Sequence, residues 1–143
     1  MVYLSAVASA VHVLALGVGL PAIYARWRAF ARGDLPAVLT ADNWWGLAAL
    51  LWIGSGLARA FGGLEKGSDW YLHSPAFQLK MAVYALASIL EMWPMVTLIR
   101  WRVRPATAGD PRLMAHFARL SAIETGLVVL LPFIAAAMAR GIR

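Results

Sequence analysis

The sequence predicts an all-α integral membrane protein, a four-helix bundle running up-down-up-down with both termini on the outer side. Three observations carry that expectation. The 143 residues are 62% hydrophobic and only 14% charged, with a mean hydropathy of +0.68; a soluble domain is roughly 45–50% apolar. Four apolar runs stand at about 2–25, 43–62, 77–99 and 114–139, each long enough for the ~20 residues that cross a bilayer as helix. The basic residues gather in two of the three connections between these runs.

The first run has no charged residue between Met1 and Ala25. Ala8-Ser9-Ala10 looks like the small-residue site of a cleaved signal peptide. No basic segment precedes it and the apolar run continues past it, so the run is expected to stay as a helix. Gly33-Asp34-Leu35-Pro36 makes a turn into the second run, with Asp42 or Asn43 as its predicted cap. Gly62-Gly63 ends that run. Before the third run, Ser74 is a predicted cap and Pro75 falls in the first turn. Pro105 and Gly109-Asp110-Pro111 break the chain before the fourth. Pro94 and Pro132 lie inside the third and fourth helices, where a missing donor kinks a helix; structural tuning is the expected role. No repeat, linker or soluble domain interrupts 1–143, which reads as a single transmembrane domain.

Charge sets the orientation. Arg26, Arg28 and Arg32 follow the first run, and Arg100, Arg102, Arg104 and Arg112 follow the third. The connection between the second and third runs carries Lys66 against Glu65 and Asp69. The positive-inside rule places the two arginine-rich connections in the cytoplasm. Of the seven tryptophans, Trp27, Trp44, Trp45 and Trp101 then fall at the inner interface and Trp70 at the outer, as aromatic belts require. Trp52 and Trp93 are expected deeper. The net charge of +6 is accounted for by these connections, so no nucleic-acid partner is implied. Cysteine is absent, which excludes disulfides, thiolate metal sites and covalently attached c-type haem.

Ionisable side chains inside a membrane are costly and therefore candidates for function. Counting ~1.5 Å per residue from each helix centre puts His12 near the midplane, Arg59 and Lys80 ~10 Å outward, and Glu91 and Glu124 ~5 Å inward. Arg119 lies deeper toward the cytoplasm, where an ion pair with Glu91 is expected. Ser5, Ala8, Ser9, His12, Ala15 and Gly19 share one face of the first helix. Lys80, Tyr84, Ala87, Ser88 and Glu91 share a face of the third, and Trp52, Ser55, Gly56 and Arg59 group in the second. His12 could equally donate a structural hydrogen bond, and Arg59 and Lys80 could snorkel to the interface. His73 and His116 read as surface residues, and Met81, Met92 and Met95 as packing.

Four segments carry a resemblance: ADNWWGLAALLWIGSGLARAFGGLEKG (41–67), YLHSPAFQLKM (71–81), LEMWPMVTLIRWR (90–102) and AAAMARG (135–141). They resemble a bacterial family of predicted four-helix membrane proteins of unknown function. More remotely, the layout is similar to HemJ-type protoporphyrinogen oxidases and to CopD-type membrane domains. His12 followed by GVGLPAIYAR (17–26) matches the first-helix histidine and the G-x-x-x-x-P-like stretch of the HemJ type. Lys80 matches the lysine of its third-helix W-L-H-A-K motif, and Gln78 stands where that motif has histidine. The resemblance implies haem b, with His12 as iron ligand, Arg59 and Lys80 as propionate partners, and Tyr84 and Trp52 lining the macrocycle. It implies a HemJ-like oxidoreductase with a quinone or tetrapyrrole substrate.

Two other readings stand beside it. His12, Glu91 and Glu124 could carry a divalent metal or protons. Alternatively the chain is a structural or accessory membrane subunit whose buried polar groups, Glu91, Glu124 and Arg119 among them, fix helix register. GSG in the second helix and the small-residue face of the first suggest a homodimer. The catalytic residues are not legible from the sequence.

Overall fold

In the computed structural model, residues 2–63 and 72–141 are described. The expectations for Glu65, Lys66, Asp69 and Trp70 fall outside them. Four long helices run in order: α1 (Val2–Arg32), α2 (Leu35–Phe61), α3 (Pro75–Val103) and α4 (Pro111–Ala139), with a 3-10 turn at Pro105–Thr107. The all-α bundle is therefore as the apolar runs predict, but its helices are longer than those runs. At 27 to 31 residues each spans ~40–46 Å, more than the ~30 Å hydrocarbon core. The helical ends outside the apolar runs carry tryptophan and arginine, which suit the headgroup layer.

Local signals explain the boundaries. Nothing breaks α1 before Gly33, whose φ of 67° is one that L side chains seldom take. The α2 cap is Asp34, which accepts from the Ala37 amide at 3.1 Å. Asp42 and Asn43, the expected caps, lie two turns inside the helix. Ser74 caps α3 as predicted, accepting from the Phe77 amide at 3.4 Å, and Pro75 opens the helix. Asp110 caps α4 through the amides of Arg112 and Leu113. The helices continue through Pro21, Pro94 and Pro132.

Alternation of direction follows from which ends meet. Residues near the end of α1 touch the start of α2, the later half of α3 and the earlier half of α4. The main packed pairs are α1 with α2, α1 with α4, and α3 with α4. Gly19 allows the first of these, because a Cβ there would stand 3.3 Å from Ala48 Cβ. The small-residue face of α1 therefore packs inside the chain, and the homodimer expectation loses that support. α2 and α3 are not among the extensively packed pairs.

Two apolar clusters form the core. One gathers Ala15, Ile23, Trp45, Trp52, Phe77, Val83, Val128 and Leu131, and the other Phe30, Val38, Leu98, Trp101, Met114 and Phe117. The outer surface of the helices is also apolar: Leu14, Leu50, Ile89 and Phe133, one from each helix, are 69–71% exposed. Such an exterior suits hydrocarbon rather than water. Among the described helices α1, α3 and α4 are long and apolar enough to cross a membrane. α2 falls short of the four-span expectation, because three tryptophans, Gly54-Ser55-Gly56 and Arg59 dilute its aliphatic residues.

Candidate functional site

Two polar features occupy the bundle, at different levels along it. The first surrounds His12. On α1 this imidazole reaches α2, where its Nδ1 lies 3.1 Å from the Trp52 carbonyl oxygen and 2.9 Å from Ser55 Oγ. Ser55 Oγ itself donates to the Leu51 carbonyl at 2.6 Å, so it accepts from the imidazole. Both neighbours are then acceptors, and Nδ1 carries the proton. In the neutral ring Nε2 then has the lone pair, the tautomer that a carbonyl bonded to Nδ1–H imposes on metal-ligating histidines. Gly56 makes room for the ring, since a Cβ there would meet His12 Cε1 at 3.2 Å. The Trp52 indole lies beside it, with ring centroids 5.6 Å apart.

His12 lines a cleft of about 90 Å³ that runs mainly between α2 and α3. Trp52, Lys80, Met81 and Tyr84 share its wall, with Phe61, Phe77 and Leu131 supplying apolar surface. Four of the five side chains expected around a cofactor thus meet in one place. Arg59, the fifth, is half-buried on α2 and is not part of the cleft wall. Trp52 Nε1 is buried and has no hydrogen-bond partner among the described residues. Ligand pockets usually enclose roughly 300–1,000 Å³. The free space here takes one end of a large ligand unless α2 and α3 separate.

The second feature is a charged layer between the two apolar clusters. Arg26 is fully buried. Its Nη1 donates to Asp42 Oδ1 and to Glu91 Oε1, both at 2.7 Å, and its Nη2 to Glu91 Oε2 at 2.5 Å and Glu124 Oε2 at 3.0 Å. Asp42 also accepts from Arg102, Oδ2 to Nη2, at 2.9 Å. One guanidinium on α1 thus ties together carboxylates from α2, α3 and α4, with the two-pronged geometry that arginine favours.

This layer corrects two expectations. Arg26 is not an orientation-setting loop residue; it lies on the inward face of an uninterrupted helix. Glu91 pairs with Arg26 and not with Arg119, which is exposed on α4. Helix spacing could have flagged Arg26, because it shares a face with Gly19, Ala22 and Ile23. His116 is exposed, as expected, and stacks near Trp93 with centroids 4.8 Å apart. Trp93 lies on the outer surface of α3, 53% exposed. The metal-carrier reading placed His12 with Glu91 and Glu124. His12 and Arg26, however, are separated by roughly four turns of α1, ~21 Å, and no group of three or more potential metal-ligating side chains occurs among the described residues.

No curated protein and no solved structure matches the chain. A family model described as predicted membrane protein (DUF2214) matches residues 4–143. With that match over nearly all of its length, and with helices apolar enough to cross a bilayer, the chain belongs to the DUF2214 family of membrane proteins.

Proposed function

We propose that this membrane protein binds haem b in the cleft between α2 and α3. The observation that carries the reading is the His12 imidazole, held through Nδ1 on the Trp52 carbonyl at the wall of a cleft shared with Lys80. A haem iron takes an imidazole nitrogen as its axial ligand. Lys80 supplies a cation for a propionate, and the buried Trp52 Nε1 supplies a neutral donor for the same kind of acceptor. Tyr84 and Trp52 would hold the group's flat faces, and Met81 shares the same wall. The donor set fits the group. The free volume requires α2 and α3 to part, and this is where the bundle has little packing to lose.

When bound, haem supplies one-electron transfer or binding of a small ligand at iron. The protein's own residues orient it: Ser55 and Trp52 fix the imidazole, and Gly56 leaves space for it. A quinone or tetrapyrrole would reach the cleft from the lipid side, through the gap between α2 and α3. In this reading the chain is a multi-pass protein of a bacterial inner membrane, with its arginine-rich end in the cytoplasm. Exposed Arg28, Arg32, Arg100, Arg104 and Arg112 at that end support the orientation.

The test is the visible spectrum of the protein purified after expression with added haem precursor. A Soret band is expected, and His12→Ala is expected to abolish it without unfolding the helices by circular dichroism. Wild-type protein that stays colourless after haem supplementation would overturn the reading.

A further inference from the structure

The cleft leaves the charged layer without a role. Its composition is unusual for a structural ion pair. Arg26 faces it from α1, Asp42 from α2, Glu91 and Arg102 from α3, and Glu124 from α4. Two guanidinium groups stand against three carboxyl groups, so full ionisation leaves one negative charge over. Among buried apolar side chains such a surplus is strongly unfavourable. The crowding has a definite location, because Glu91 Oε2 and Glu124 Oε2 share a single nitrogen of Arg26. Two carboxylates at one such point resist ionising together.

A separate observation points to the same place. Glu124 Oε1 and Ser121 Oγ, one turn apart on α4, are both buried with no hydrogen-bond partner among the described residues. Glu124 is 1% exposed and Ser121 0%. An ionised Glu124 would leave Oε1 unbonded and would rest on the single Oε2 contact with Arg26, a nitrogen it shares with Glu91. A protonated one is neutral and needs no counter-ion, and a proton, unlike a metal ion, needs no cavity.

We infer that the charged layer is a proton-binding site, holding one exchangeable proton on the Glu91–Glu124 pair. Release breaks one carboxyl O–H bond and passes the proton to water at the rim, leaving a carboxylate behind; loading reverses this. The two ends of the pair differ in access. The Glu124 side chain keeps 1% of its surface exposed, whereas Glu91 keeps 18% and Asp42 15%. Exchange therefore runs through Glu91 and Asp42, beside the partly exposed Arg102, and Glu124 is the storage end. The inference does not depend on haem or on the cleft.

Infrared spectra of the full-length protein in phosphatidylcholine vesicles at neutral pH test it. The wild type is expected to show the C=O band of one buried protonated carboxyl, shifted in D2O. Glu124→Gln, which keeps size and removes the titratable group, is expected to lose that band, while Asp34→Asn keeps it. Absence of the band from the wild type overturns the inference, whether or not the variant folds. A band that survives unchanged in Glu124→Gln also overturns it, because the proton then lies elsewhere.

Discussion

Arg26 shows how much depends on a single side chain here. It binds carboxyl groups from three other helices and has no exposed surface. Replacing one member of a buried charge set leaves the others unmatched, at a cost of about 3–5 kcal/mol. Arg26→Met is accordingly expected to lower the unfolding midpoint of the detergent-solubilised protein strongly, as followed by circular dichroism. Arg26→Lys is expected to recover only part of that loss, since an ammonium cannot form the two-pronged contact with Glu91. A midpoint unchanged in both variants would contradict the central role of Arg26. The sequence conceals this role because hydropathy averages cannot separate an arginine paired inside a bundle from one at a membrane surface. His12 was easier to read: an imidazole on a small-residue face has few places to go but inward, and it is found against Trp52 and Ser55.

At the level of the helices, what was legible depended on chemistry with a fixed position. Ser74-Pro75 marked the start of α3 correctly, because a hydroxyl cap followed by proline suits only a first turn. The start of α2 was misplaced to Asp42 or Asn43, since both Asp34 and Asp42 are acceptable caps by residue type. The difference is tertiary: Asp42 is held by Arg26 and Arg102, which no local rule reveals. The two residues therefore separate by experiment. Asp34→Ala removes one capping bond and is expected to cost about 1 kcal/mol. Asp42→Ala removes the partner of two arginines and is expected to cost more. Denaturant titration of the two variants side by side measures the order, and an equal loss would return Asp42 to an ordinary position. α2 also shows why a hydropathy scan underrates a helix that packs on one side. Trp45, Trp52 and Ser55 are buried against its neighbours, so part of what lowers its apolar score is enclosed by the bundle, while Trp44 and Gly54 stay exposed.

On the scale of the molecule, the bundle is closed at one end and loosely joined at the other. Arg26 and Arg102 bridge α2 to its neighbours at the arginine-rich end, while the cleft lies between α2 and α3 toward the opposite end. The fold class was readable from composition, because a chain 62% hydrophobic with its apolar residues in four long runs leaves few alternatives to a bilayer. The order of packing was not, since short connections alone do not say which non-neighbouring helices meet. Orientation is directly measurable, helped by a chain free of cysteine. Gly63→Cys is expected to react with a membrane-impermeant maleimide added to intact cells, and Ala108→Cys only after lysis. The opposite pattern would reverse the assignment drawn from the arginines.

The charged layer also constrains how this sequence can change over generations. Arg26, Asp42 and Glu91 cannot be lost singly without stranding a buried charge, and Glu124, which also bonds Arg26, belongs to the same network. Losing all of them to apolar residues of similar volume is far less damaging. These positions, drawn from four separate helices, should therefore be inherited as a set. A descendant that lacks the arginine should lack its acids too, and mutational paths between the two forms pass through unstable intermediates.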